Sequence, residues 1–341
     1  MFGSRSLSIV GAVARNDHAA CSGCSLCLPV CPVWHRTRDL RLTPHGRAKA
    51  LQHGATIADI APSIASCTLC GACEPVCPEN IGLVDMLLKL RRELPQSTTA
   101  INLHAHMHAQ PPRPNFGPAH TATVLLAPAT YKWRPGLLAR VSGLLGGGIS
   151  VAVENDGGAD IALALEIGAA IPPPRLERFL APLRLRKTIV VADGLLLRQL
   201  RVWLPHSEVV SLGVALSRIE TVRRHLRAGD LYVIEARAYH AEHAKLVTYY
   251  DDLRAATGCA MNLDLQRIAI PATAPGLPQR LGEQVRTDSA QLRWLLKGRR
   301  VSRIVVECET DLRTFEREYV IPVLHLAELA DDGPLPDRVQ S

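Results

Sequence analysis

The sequence has few aromatic residues and no long apolar run, and both absences narrow the classes to which the protein can belong. Phe, Trp and Tyr make up 4% of the 341 residues, and the basic residues form no dense run with aromatic residues between them. The net charge of +7 therefore does not indicate a nucleic-acid-binding surface. No apolar stretch approaches the roughly 18 residues that are typical of a membrane-spanning helix.

Motifs for nucleotide binding and nucleophilic catalysis are missing as well. No GxGxxG opens a helix after a strand, and there is neither a P-loop nor a nucleophile elbow, so we expect no dinucleotide held by this chain and assign no catalytic residue. The first 17 residues contain a short apolar run but no convincing export signal. We expect a cytoplasmic protein, either free or peripheral on the inner face of the membrane, where its basic surface meets an anionic partner.

Cysteine is the residue type whose distribution is most informative. Eight of the ten cysteines fall between positions 21 and 77, and only Cys259 and Cys308 lie beyond. In an intracellular chain, such a density indicates metal binding and argues against disulfides. The length of 341 residues predicts two or three domains, so the cysteine-rich segment is expected to be one domain among several.

The eight cysteines form two runs with the same spacing, C-x2-C-x2-C-x3-C followed by proline. The first run is CSGCSLCLPVCP, with Cys21, Cys24, Cys27 and Cys31. The second run is CTLCGACEPVCP, with Cys67, Cys70, Cys73 and Cys77. A zinc site would use pairs of C-x2-C, so three closely spaced cysteines with a terminal Cys-Pro fit zinc poorly.

This spacing predicts two [4Fe–4S] clusters with exchanged ligands. A cubane needs four thiolates; one tight loop supplies three, and in two-cluster ferredoxins the fourth comes from the other run. The predicted ligands of the first cluster are Cys21, Cys24, Cys27 and Cys77. The predicted ligands of the second cluster are Cys67, Cys70, Cys73 and Cys31.

The segments around the runs indicate a mostly helical domain over residues 1–94. Residues 46–67 and 80–94 have apolar residues at helical spacing. Pro32 and Pro78 are expected to turn the chain after the last ligand of each run.

Residues 21–94 resemble the helical two-cluster ferredoxin domain of iron–sulfur subunits that serve FAD-linked dehydrogenases. These include the glycolate oxidase, anaerobic glycerol-3-phosphate dehydrogenase, lactate utilisation and heterodisulfide reductase families. The matching segments are CPVWHRTRD after the first run, TPHGRAKAL at 43–51 and CGACEPVCPENI around the second run. His45 stands where this family usually has arginine, a departure that we expect not to touch the ligands.

Downstream of this domain, we expect a linker and then an α/β region. Residues 95–120 are rich in Pro, His and small polar residues; we interpret them as an interdomain linker, and His104, His106 and His108 as solvated residues that bind no metal. Short β-rich runs then alternate with amphipathic stretches. The predicted strands lie within 123–129, 149–155, 188–194, 230–237, 265–272 and 303–309.

An internal repeat indicates two copies of one α/β unit. Residues 189–200 and 304–315 align, with an arginine at the same offset. The predicted fold is therefore α plus α/β: a helical two-cluster ferredoxin domain (1–94), a linker (95–120) and two tandem α/β domains (121–225 and 226–341). The tandem unit resembles the cysteine-rich domains that follow the ferredoxin module in the same families.

Nearly all cysteines of those domains are absent here. The positions hold Ala127, Pro128, Asn155, Asp156, Gly157, Asp193 and Asp311, and only Cys308 is kept. One thiol cannot hold a further cluster, so we expect a degenerate scaffold in which Cys259 and Cys308 are small apolar residues. We also expect the carboxylates of Asp156, Asp193, Glu307 and Glu309 to lie on solvated loops with no shared acid–base site.

Three functions are compatible with these features. The resemblance implies an electron-transfer subunit, an oxidoreductase component with no self-contained activity, that relays electrons from a flavoprotein dehydrogenase to a quinone, a cytochrome or another carrier. The oxidised substrate would be a 2-hydroxy acid such as glycolate or lactate, or glycerol 3-phosphate. The alternatives are a catalytic heterodisulfide or quinone reductase subunit, and an iron–sulfur redox sensor or assembly protein.

Overall fold

A computed structural model describes residues 18–109, 122–146, 149–273, 276–281 and 289–330. The N-terminal segment examined for export signals and the linker beyond Ala109 lie outside these ranges. Among the described residues, no helix is long and apolar enough to cross a bilayer.

The cysteine-rich part is helical, as its periodicity predicts. Its helices are α1 (Pro32–Thr37), α2 (Pro44–Gln52), α3 (Ala61–Ser66) and α4 (Leu83–Glu93). Single turns of 3-10 helix occupy His18–Ala20 and Leu40–Leu42. Pro32 and Pro44 stand at helix starts, where their missing N–H groups cost nothing, and the Thr43 hydroxyl caps α2 by accepting from the Gly46 N–H at 3.1 Å.

Part of the segment that we expected to be a linker is helical, since Thr98–Ala109 forms helix α5. Ala100 and Met107 are buried in a small cluster with Ala164 and Ile167 of the following domain. The histidines, alanines and threonines of this segment gave no clear apolar stripe, and the helix is held by packing against a distant part of the chain. His104 and His108 lie one turn apart, with ring centroids at 4.6 Å.

Two four-stranded parallel sheets follow. The first α/β half contains β1 (Thr123–Ala127), α6 (Pro135–Leu144), β2 (Ser150–Val153), α7 (Ala159–Ile167), α8 (Pro173–Leu183), β3 (Thr188–Val191), α9 (Gly194–Trp203), β4 (Glu208–Ser211), α10 (Leu212–Ser217) and α11 (Glu220–Arg223). The second contains β5 (Asp230–Val233), α12 (Ala236–Ala241), α13 (His243–Thr257), β6 (Ala260–Met261), α14 (Leu277–Arg280), α15 (Ser289–Leu296), β7 (Arg303–Val306), α16 (Glu309–Glu318) and β8 (Val323–His325). Further 3-10 turns lie at Ala129–Trp133 and Leu326–Ala330.

The two sheets have the same topology, which agrees with the internal repeat. Their strand orders are β2-β1-β3-β4 and β6-β5-β7-β8, and every pairing is parallel. The aligned segments 189–200 and 304–315 form β3 with α9 and β7 with α16, which hold equivalent places. The central strands are almost wholly buried, as expected for parallel strands covered on both faces.

The prediction of a strand within 265–272 is wrong, and three short strands of the structure were not predicted. Around residue 265 the structure has only an isolated bridge between Leu263 and Ala269. The Asn262 side-chain amide donates to the carbonyl oxygens of Ile234 and Ile270, so a side chain takes the place of a strand ladder. β4, β6 and β8 have four, two and three residues, too few to show a period.

The helical part packs on both α/β halves. Apolar side chains of α4 share one core cluster with Leu126, Ile189 and other residues of the first sheet. A second core cluster runs from the first sheet into the second, and a small one joins Cys70 to Ile268. The cysteine runs therefore lie against the α/β halves within one continuous set of contacts.

Candidate metal centre

The two cysteine loops share an unusual backbone conformation. In the first run, Gly23 and Ser25 have φ of 83° and 65°; in the second, the equivalent Leu69 and Gly71 have φ of 55° and 77°. Left-handed residues at alternate positions curl the chain tightly, and glycine takes one of the two positions in each loop. Such curled backbone turns its N–H groups toward an anion, as in many iron–sulfur sites.

A small cavity lies in the curve of the first loop. It is lined by Cys21, Ser22, Cys24, Ser25, Cys27, Pro44, His45, Ala48, Cys77, Glu79, Ile81 and Leu83. Cys77 comes from the second run, so the thiols around this cavity are the four predicted for the first cluster. The ligand assignment stays a prediction, and this arrangement supports it.

His45 contacts the first loop. This differs from the expectation that the residue at this position does not touch the ligands. Its ring lines the cavity and lies 3.2 Å from the Ser25 hydroxyl. Burial raises the pKa of the Cys27 thiol to about 11, and a hydrogen bond from the His45 backbone N–H partly offsets this effect. A histidine is therefore accommodated because the contact with the thiol is made by the main chain.

The second run is more buried, and Cys31 of the first run lies beside it. Burial raises the pKa of the Cys70 thiol to about 12, and the neighbouring charges of Cys67 and Cys31 raise it further. The pKa of Cys73 is raised by burial and then by Cys70, Cys67 and Cys31 among its charged neighbours. These four cysteines are the predicted ligands of the second cluster.

The raised pKa values bear on what these sites can hold. Metal ligands must be thiolates, and a buried cluster of thiols loses its protons only when a cation offsets the negative charge. Among the described residues, no three His, Cys, Asp or Glu side chains surround a single point as ligands of one ion do. A cubane has no such requirement, because each thiolate binds its own iron.

Three buried arginines lie near the second run, and no local pattern in the sequence predicts them. Arg91 Nη2 donates to the Cys67 carbonyl at 2.5 Å, and Arg237 Nη2 donates to the Thr68 carbonyl at 2.8 Å. Arg47 donates to the Ser63 carbonyl at 2.9 Å. The Nε groups of Arg47 and Arg91 are buried and have no hydrogen-bond partner.

Charges of both signs lie around the second run, and the carboxylates of Glu166, Asp193 and Glu235 all act on Arg237. Glu166 pairs with Arg237 at 2.6 Å, and its charge also acts on Arg91, whereas Arg47 and Arg237 oppose the charge of Arg91. Burial lowers the pKa of Arg91 to about 10, so it stays charged at neutral pH. The buried positive charge of Arg91, whose Nη2 donates to the Cys67 carbonyl, fits an anionic group held by thiolates, such as an iron–sulfur cluster.

Helix α12 of the second α/β half also contacts this loop. His240 Nε2 accepts from the Ala269 N–H at 3.2 Å, so Nδ1 carries the proton and donates to the Cys70 carbonyl at 2.7 Å. Burial lowers the pKa of His240 to about 3, which keeps the ring neutral. A Cβ on Gly71 would lie 2.9 Å from the His240 Cβ, so this approach requires glycine.

An arginine from the internal repeat joins the cysteine loop to the first α/β half. Arg198 on α9 pairs with Glu74, which lies between Cys73 and Cys77, at 2.7 Å, and with Asp85 on α4 at 3.1 Å. The arginine at the same offset in the second copy, Arg313, instead lies 3.7 Å from Glu309.

Two of the four carboxylates that were expected on solvated loops are buried. The expectation is therefore wrong for Glu307 and Glu309. Glu307 is 3% exposed and accepts from the hydroxyls of Tyr232 and Tyr250 at 2.6 Å each. Glu309 is 1% exposed and has Arg134 at 3.5 Å. The run after β7 looked loop-like in sequence, but α16 and the neighbouring half cover it.

The remaining predicted positions are structural. Asp193 caps α9 by accepting from the Leu196 N–H at 2.7 Å. Cys308 occupies the equivalent cap position before α16, and burial raises the pKa of its thiol. Cys259 is 1% exposed and accepts from the Thr257 hydroxyl, which confirms the interpretation of this residue as a buried small side chain.

Comparison with known protein families agrees with the site in the N-terminal part. A family model described as a 4Fe-4S dicluster domain matches residues 17–81, which include all eight cysteines of the two runs. The match supports an iron–sulfur protein. Searches of curated proteins and of solved structures gave no match.

Proposed function

We propose that this chain is an electron-transfer subunit with two [4Fe–4S] clusters on exchanged ligands. Cys21, Cys24, Cys27 and Cys77 would hold the first cluster, and Cys67, Cys70, Cys73 and Cys31 the second. The observation that carries the proposal is the crossing of the two runs: Cys77 lines the cavity of the first loop, and Cys31 lies beside Cys67 and Cys70.

Bound clusters of this type accept and release single electrons at potentials set by charge, hydrogen bonds and exposure. The two sites differ in nearby charge, in hydrogen bonding and in exposure. Cys24 of the first loop is exposed, whereas Cys31 and Cys70 are buried. Arg91, Arg237 and His240 donate hydrogen bonds to backbone carbonyls of the second run. We infer that the first site meets external partners and that the second is an interior site at the α/β halves.

We propose a flavoprotein dehydrogenase as the electron donor, and a quinone or another carrier as the acceptor. The resemblance to iron–sulfur subunits of FAD-linked dehydrogenases supports this choice, with a 2-hydroxy acid or glycerol 3-phosphate as the substrate of the partner. The α/β halves would dock the partner without chemistry of their own, because their cysteine positions hold other residues. A cytoplasmic location, free or peripheral on the membrane, suits this role.

The proposal is tested with the flavoprotein that the tagged chain captures under anaerobic conditions. Substrate is added to the pair, and cluster bleaching is followed by stopped-flow absorbance. We expect rapid reduction in the wild type, a large loss of rate in Cys24→Ala and unchanged rates in Cys259→Ala. Transfer to the final acceptor at the wild-type rate through a chain without iron would contradict the proposal.

A further inference from the structure

A cavity of about 630 Å³ lies between α1, which begins directly after Cys31, and α15 of the second α/β half. Its size is within the range of about 300–1,000 Å³ that is typical of small-molecule sites. It is separate from the cysteine-lined cavity. Its lining residues are His35, Arg36, Arg38, Gln291, Arg293, Trp294, Leu296, Lys297 and Tyr319, and we call it the basic–aromatic cavity.

The described charged side chains that line this cavity are all cationic. Its lining includes four cationic side chains and no acidic one among the described residues. No described carboxylate forms an ion pair with Arg36, Arg38 or Lys297, and the Arg38 guanidinium instead lies 5.7 Å from the ring centroid of Trp34. Cations gathered in a concave site attract an anionic ligand, and three of these four have no ion-pair partner among the described residues.

Aromatic side chains form part of the lining of the cavity. The rings of His35 and Trp294 stack with centroids 4.1 Å apart and an angle of 24° between their planes. The Tyr319 ring lines the same space. His35 is fixed in turn, because its backbone N–H donates to the Cys31 carbonyl and its Nε2 lies 2.5 Å from the Pro29 carbonyl. An ordered aromatic surface favours a planar ring as the ligand.

We propose that the basic–aromatic cavity binds a planar aromatic anion, with its ring against Trp294 and a phosphate or carboxylate group against the cationic side chains. This site is distinct from the cluster sites and does not require electron transfer to operate. Because His35 follows Cys31 by four residues, this part of the cavity lining lies about one helical turn along α1 from a cysteine of the second site.

The test is calorimetric titration of the oxidised, cluster-containing chain with flavin mononucleotide, a probe with a planar ring and a phosphate. We expect saturable binding with one site per chain. Riboflavin, which has the same ring without the phosphate, should bind at least about tenfold more weakly, a loss of about 1.4 kcal/mol. Inorganic phosphate should compete with the probe.

Two variants locate the site, and two control the interpretation. Trp294→Ala and Lys297→Glu should each weaken binding of the probe at least about tenfold. Lys297 is exposed, so its substitution still tests the proposal if Trp294→Ala does not fold. Trp133→Ala removes an indole that is 81% exposed elsewhere, and Arg41→Ala removes a nearby arginine that does not line the cavity. Both controls should bind normally.

Three outcomes would overturn this proposal. The first is no saturable binding of flavin mononucleotide up to about 1 mM, which corresponds to only about 4 kcal/mol of binding free energy. The second is equal binding of riboflavin and the phosphorylated probe. The third is binding by Trp294→Ala and Lys297→Glu that matches the two controls. None of these outcomes depends on whether the clusters transfer electrons.

Discussion

At the residue scale, the second cysteine run is distinguished by the buried cations around it. Arg47 and Arg91 are 2% and 1% exposed, and Arg237 is nearly as buried. Burying a guanidinium group whose Nε has no hydrogen-bond partner, as in Arg47 and Arg91, is costly, and an anionic occupant of the second site would offset part of this cost. A positive charge beside a cluster also stabilises its reduced form, which carries one more negative charge than the oxidised form.

Replacing Arg91 by methionine should therefore lower the reduction potential of one cluster. Coulomb's law at the effective dielectric of protein interiors gives an effect on the order of 1.4 kcal/mol, or about 59 mV for a one-electron couple. Redox titration followed by EPR measures the shift. Arg91→Lys should restore most of the potential. Arg92, the exposed neighbour on α4, provides the control, and a similar shift in Arg92→Met would contradict the explanation.

The carboxylate of Asp311, at the second α/β half, makes stability depend on pH. Burial raises the pKa of Asp311 from 3.8 to about 7, and a hydrogen bond from the Thr273 hydroxyl partly offsets the effect. Because the folded state holds this proton more tightly than the unfolded state, the resulting stabilisation is complete below pH 3.8. It is lost as the pH rises to about 7.

Asp311→Asn should remove this dependence, because the amide resembles the protonated acid and can still accept from Thr273. Between pH 5.5 and 8, the wild type should lose roughly 2 kcal/mol of stability relative to the variant, with little further change above pH 8. Thermal unfolding of both proteins across this range measures the difference. Parallel stability curves would show that Asp311 titrates normally in the folded protein.

At the scale of elements, Arg198 joins α9 to the second cysteine loop and to α4. Its side chain is 22% exposed and bonds both carboxylates, Glu74 and Asp85. Arg198→Met should cost about 1.5–3 kcal/mol, because hydrogen bonds between charged groups are lost and two carboxylates keep no partner on α9. A decrease of several degrees in the midpoint of thermal unfolding is expected.

The matched control is Arg184→Met on the surface of the same half. Arg184 is 47% exposed and pairs with Glu177, and solvent-exposed pairs of this kind contribute little to stability. An equal effect of the two substitutions would mean that Arg198 does not hold the elements together.

Local sequence signals explain which elements could be predicted. The helices near the cysteine runs and the central strands have clear periods or apolar runs, and the ligand spacing is specific by itself. The packing of α5 against α7 and the hydrogen bonds of Asn262 depend on residues that are distant in the sequence. Neither could be predicted from a local sequence pattern. The same holds for Arg91, Arg237 and His240, which reach the second run from helices outside it.

At the scale of the whole molecule, the cysteine domain and the repeated α/β halves share cores and ion pairs. The first loop is open to solvent, whereas the second is enclosed between α4 and α12. This order, from an exposed site to an interior one, suits a relay between partners. The two α/β halves have the same sheet topology, and Asp193 and Cys308 occupy equivalent helix-cap positions in them.

The most direct test of the account is EPR of the reduced chain, with iron analysis, in four single cysteine-to-alanine variants of predicted ligands and in one control variant. The wild type should contain about eight iron atoms in two cubane clusters. Cys24→Ala and Cys77→Ala should lose the same signal, and Cys31→Ala and Cys70→Ala the other, while Cys259→Ala keeps both. Loss of one signal in both Cys77→Ala and Cys70→Ala, with the other retained, or zinc in place of iron in anaerobically prepared protein, would contradict the account.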